Sequence, residues 1–205
     1  MVEAAEVAVA GVVIGLVAAL TADMVLVLIA ALWDRQPRAV AVAAIGGAAV
    51  ADVALVAFGG WVGWLIVPVV ADPDARATIA IGLFVGVAAN SALGLLIGMW
   101  GVPVDAELPS RPLPTLARFA LIELLAPTAT LIAAGSVIAW PRTWAFGGAW
   151  PFVAGIVAGA AAARLGWAAT ERNRRGVRSA RTVRRGVRVA AILLLAALSI
   201  GAMPR

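Results

Sequence analysis

Residues 39–69 read AVAVAAIGGAAVADVALVAFGGWVGWLIVPV, an apolar run with a single charge, Asp52. One helical crossing of a bilayer takes about 20 apolar residues. This run is long enough for a tilted span plus an interfacial end. Five further apolar segments flank it, at roughly 7–31, 77–100, 116–139, 147–168 and 187–203. The 205 residues are 63% hydrophobic and 13% charged, with mean hydropathy +1.02; soluble domains are nearer about 45–50% apolar and about 25% charged. The expected architecture is all-α: a polytopic membrane helix bundle of six transmembrane helices, one integral membrane domain over residues 1–205. Its halves would be 1–100 and 116–205, joined by a linker at 101–115. The first segment exceeds the about 7–15 apolar residues of a signal peptide. Its flank carries Glu3 and Glu6 rather than basic residues, so no cleaved signal is expected.

Missing residue types exclude whole chemistries. There is no Cys, so thiol relays, disulfides and thiolate metal sites are ruled out. There is no His, hence no imidazole base or ligand and no Ser/His hydrolysis. The flanking Gly-x-Gly-Asp pattern of an aspartyl membrane protease is absent too, and an enzyme is not expected. No cofactor is implied. All 16 basic residues are Arg, and Ala, Val and Gly abound, which points to a GC-rich bacterial genome. The sequence pI of about 11.5 reflects an Arg-rich loop rather than a nucleic-acid surface.

The arginines set the topology. Arg35, Arg38, Arg111, Arg118, Arg164, Arg172, Arg174, Arg175, Arg178, Arg181, Arg184, Arg185 and Arg188 fall on one side of a six-crossing chain; Arg76, Arg142 and Arg205 fall on the other. Thirteen against three places the loop 169–186 in the cytoplasm and both termini outside, in the bacterial inner membrane. Trp33, Trp61, Trp64, Trp100, Trp140, Trp144, Trp150 and Trp167 lie near the proposed helix ends, where indoles settle in a bilayer. Arg174–Arg178 and Arg184–Arg188 both read RRGVR, either a topology anchor or a contact for anionic lipid or a partner.

Gly11/Gly15, Gly82/Gly86, Gly94/Gly98 and Gly155/Gly159 are four apart, on one helix face each. Glycines so placed let helix backbones approach closely, within one bundle or across a homo-oligomer.

Three carboxylates fall inside the apolar segments: Asp23, Asp52 and Glu123. A charge at bilayer depth costs at least about 2.5–3.5 kcal/mol on insertion scales. Such groups face a cavity or a partner, or are protonated and hydrogen-bonded with a structural role only. Their expected counter-charges are a proton, a transported cation, or Arg118. Thr21, Asn90, Pro127 and Thr128 supply polar company, and Pro127 frees a backbone carbonyl in mid-helix. Leu20–Leu26 can be laid on Leu125–Leu131, which suggests a 3+3 inverted repeat.

The run Thr21-Ala22-Asp23-Met24-Val25-Leu26-Val27-Leu28 resembles the Pro-Gly-Pro-Asp signature of the LysE/RhtB family of amino-acid exporters. Arg35–Gly46 is similar to that family's basic loop and Ala/Gly-rich second helix, and Leu124–Ala129 to its Leu-Leu-Asn-Pro-Lys-Ala element. The resemblance implies a small secondary transporter exporting amino acids or similar metabolites, proton-coupled. Its substrate-binding or proton-coupling residues would be drawn from Asp23, Asp52, Glu123, Thr21, Asn90, Pro127 and Thr128. The partners implied are the lipid bilayer and a small-molecule substrate, an amino acid. The double proline before Asp23 is missing, and Ala126 and Thr128 replace the Asn and Lys. These departures keep open a non-transporting membrane adaptor, an envelope-lipid addressing protein or a metal-cation exporter of the same fold.

Overall fold

The computed structural model describes residues 2–21, 23–97, 109–126, 128–141, 149–172 and 177–203. They form α1 (Val2–Thr21), α2 (Asp23–Arg35), α3 (Arg38–Val69), α4 (Pro73–Ile97), α5 (Pro112–Leu124), α6 (Thr128–Ala139), α7 (Ala149–Arg172) and α8 (Val177–Gly201), with no strand among the described residues. α1, α3, α4 and α7 are long and apolar enough to cross a membrane, and α5 with α6 makes a fifth such element, bent by 53°. The apolar part of α8, Arg188–Gly201, falls short of a full crossing length.

Segment 116–139 is two helices, α5 and α6, rather than one; segment 7–31 takes in most of α1 and α2, with residue 22 between them outside the described residues. The Thr21 hydroxyl of α1 donates to the Ala18 carbonyl at 2.7 Å. α5 closes with the Ala126 N–H donating to the Glu123 carbonyl at 2.9 Å. Helix starts follow local chemistry. Pro112 opens α5, where its missing N–H costs no helical bond. Asp72 accepts from the N–H groups of Asp74 and Ala75, both at 3.2 Å, at the start of α4.

Two parallel helix pairs organise the bundle. On α1, a Cβ at Gly11 would overlap the Phe152 carbonyl, and one at Gly15 the Ile156 carbonyl. On α7, Gly155 and Gly159 meet the carbonyls of Ala8 and Val12 in the same way. Contact positions rise together along the two helices, so α1 and α7 run parallel. The second pair is α3 with α5–α6. Gly47 lies against Leu116, Gly59 against Thr130, and a Cβ at Gly63 would stand 2.7 Å from the Ala134 carbonyl. Thr130 adds a hydroxyl bond to the Leu55 carbonyl at 3.3 Å.

Gly82 and Gly86 do not lie at contacts: nothing comes within 4 Å of a Cβ at either. The reason is register. α4 buries Ala77, Ala80, Phe84 and Val87, and Gly82 and Gly86 fall on the opposite side of that helix. The surroundings of Gly94 and Gly98 lie outside the described residues.

One apolar core gathers Ile14, Val17, Val56, Phe84, Ile132, Phe152, Ile156 and Leu195. A second, around Val25, Ile29, Leu32, Val40, Ala44, Ala48 and Phe119, joins α2 to α3 and α5. The outer surface carries exposed Phe58, Trp61, Val69, Leu121 and Trp150, an apolar exterior suited to lipid.

Candidate functional site

Between the two apolar cores lies a buried ion cluster drawn from three helices. On α3, Asp52 stands one turn from Ala48 of one core and one turn from Val56 of the other. On α5, Glu123 follows Phe119 by one turn. On α7, Arg164 reaches both. Its Nη1 donates to Asp52 Oδ2, and its Nη2 donates to Asp52 Oδ1 at 3.3 Å. Nη2 also forms an ion pair with Glu123 Oε1 at 3.2 Å. Exposure is 3% for Asp52, 2% for Glu123 and 1% for Arg164.

Helix geometry explains how three different positions meet. At 1.5 Å per residue, Asp52 lies about 21 Å from Arg38, Glu123 about 16 Å from Pro112, and Arg164 about 12 Å from Arg172. Side chains lean toward the N-terminus of their helix. The carboxylates therefore lean toward the Arg38/Pro112 end, while the long Arg164 side chain leans away from Arg172. The three converge near the middle of the bundle.

Arg164 is a residue that the sequence reading misassigned. It was counted among the cytoplasmic arginines, but it is fully buried and is the counter-charge of two of the three intramembrane carboxylates. Its signal was its setting: Ala163, Leu165, Gly166 and Trp167 surround it, eight residues before the helix end. Removing it leaves twelve arginines against three. The expected loop 169–186 is largely helical: α7 runs to Arg172, and Arg178, Arg181, Arg184, Arg185 and Arg188 lie on α8. Arg118, one of the three counter-charges expected for the carboxylates, is exposed on α5.

The cluster is incompletely satisfied. Among the described residues, Glu123 Oε2 and Arg164 Nε are buried without a hydrogen-bond partner. So is Trp167 Nε1, one turn further along α7; this indole is 6% exposed rather than facing an interface. Fully ionised, the three side chains sum to one negative charge. Bare charge in a medium of low polarity is costly. A proton on the open Oε2 oxygen removes that excess and supplies a donor.

The remaining expected site residues divide. Asp23 opens α2, and its side chain lies outside the described residues, as does Pro127. Thr21 uses its hydroxyl within α1. Thr128 begins α6, half-buried, close in sequence to Glu123. Asn90 is exposed on α4 and is not part of the cluster. Among the described residues no group of three or more acidic side chains assembles as a metal site would require. Compared with protein families, with characterised proteins and with solved structures, the chain shows no match.

Proposed function

We propose that the chain is a small secondary exporter of the bacterial cytoplasmic membrane, moving amino acids or similar small metabolites against a proton. The observation that carries this reading is the buried Asp52–Arg164–Glu123 cluster with its open carboxylate oxygen. Asp52 and Arg164 form the fixed, charge-matched pair. Glu123 is the variable member: ionised it pairs with Arg164, protonated it leaves the cluster neutral. It sits on the last turn of α5, beside the 53° bend into α6, so its charge state bears on the angle between those helices.

In this reading the fold is six crossings arranged as a 3+3 inverted repeat, with α1–α2, α3 and α4 matched to α5–α6, α7 and α8. Exchanging the halves converts the parallel pair α1/α7 into the parallel pair α5–α6/α3. The sequence alignment of the halves sets Asp23 on Thr128, and these residues begin α2 and α6. Asp23 would then hold the place in the first repeat that Thr128 holds in the second, and would contact the exported solute. Both termini face outward and the Arg-rich stretch 169–186, which takes in the end of α7 and the start of α8, faces the cytoplasm.

A second reading is a membrane adaptor or envelope-lipid addressing protein without transport. The pairing of Asp52 with Arg164 favours it, since that pair ties α3 to α7 without moving anything. Efflux from proteoliposomes separates the two. Radiolabelled amino acids, and divalent metals in parallel, are followed with and without a pH gradient. Gradient-dependent loss of an amino acid is expected. Retention of every solute by folded protein supports the adaptor, and export of metal alone supports the cation exporter.

A further inference from the structure

At the end of the bundle where α4 begins and α6 and α8 end, a cavity of about 390 Å³ opens between the three helices. Its walls include Arg76 of α4, Ile138 and Trp140 at the end of α6, and Gly201 and Met203 at the end of α8. Trp140 stacks on Phe84, with ring centroids 6.2 Å apart and planes inclined by 28°. That contact fixes one flat wall. Gly201 faces the same ring, where a Cβ would stand 3.7 Å away.

Arg76 is half-buried, and among the described residues its guanidinium forms no ion pair. The nearest acids in sequence do not serve it. Asp72 accepts from the backbone N–H groups of Asp74 and Ala75, and Asp74 is exposed. Neither carboxylate lines the cavity. A cavity of this volume is the size of a small-molecule site. A guanidinium at its wall recognises carboxylate or phosphate oxygens through paired N–H donors.

We propose that this cavity binds a small anion with an apolar body. Its carboxylate or phosphate oxygens pair with Arg76, and its body lies against Trp140, Ile138 and Met203. The anionic group can belong to a free solute or to a lipid headgroup reaching in from the membrane. The inference needs no transport activity and stands apart from the exporter reading.

Isothermal titration of the full chain in nanodiscs of zwitterionic lipid tests it, with benzoate as the anionic probe and benzamidine as its cationic counterpart. Benzoate should bind and benzamidine should not. Arg76→Gln should weaken benzoate about tenfold or more, the loss expected for one charge-assisted contact, while Arg76→Lys should retain part of the affinity. Trp140→Leu should weaken it as well. Unchanged thermal unfolding of Arg76→Gln shows that the fold is intact. Competition from phosphatidylglycerol in the disc assigns the site to a headgroup, and indifference assigns it to a free anion. Equal binding of benzamidine, no binding of benzoate, or full affinity in folded Arg76→Gln would overturn the proposal.

Discussion

Arg164 holds two carboxylates with one guanidinium, and that imbalance decides what substitutions should do. Removing one member of a buried charged set leaves its partners unpaired and costs about 3–5 kcal/mol. Arg164→Gln should therefore lower thermal stability sharply, because Asp52 and Glu123 then face each other without a cation. Replacing all three together, as Asp52→Asn, Glu123→Gln and Arg164→Met, removes every charge at once and should recover much of that stability. Thermal unfolding of the purified variants checks this. A triple variant no more stable than Arg164→Gln would show that the charges are not what couples the three positions. Asp52 and Glu123 were legible in the sequence because an acid in an apolar run stands out. Arg164 was not, because an arginine eight residues from a basic loop reads as part of that loop. Only the length of α7 shows that it lies a further two turns inside.

Among the helices, close approach is carried by particular glycines. Gly159 on α7 faces the Val12 carbonyl, while Gly82 on α4 faces open space. Gly159→Leu should push α1 from α7 and reduce the yield of folded protein. Gly82→Leu should fold with little change, since its Cβ meets nothing and Leu is the better helix former. Size-exclusion profiles and thermal unfolding in detergent compare the two; equal behaviour would refute the contact assignment. Spacing of four marked both positions in the sequence. It could not tell which face of each helix finds a neighbour; Gly59 and Gly63 of α3 are also four apart and do make close contacts with α6, although the sequence reading did not single them out. The helix end at Leu124 shows in the sequence only through Pro127, because apolar residues continue across it. Hydropathy measures affinity for lipid and does not register where a backbone turns.

At the scale of the whole chain, the proposed orientation rests on twelve arginines against three once Arg164 is set aside. A reporter fused after Arg178 should read cytoplasmic, and one fused after Arg205 should read periplasmic. The reverse pattern would overturn the topology. The all-helical, apolar character was plain from composition, whereas the number of crossings depends on how bent and short helices are counted. The central claim is that Glu123 carries the transported proton, and proteoliposomes with the exported amino acid on both sides test it most directly. Glu123→Gln keeps shape and hydrogen bonding but cannot ionise. It should exchange labelled for unlabelled solute while failing to accumulate solute under an imposed pH gradient. Gradient-driven accumulation at the wild-type rate and with the wild-type pH profile in Glu123→Gln would contradict the claim.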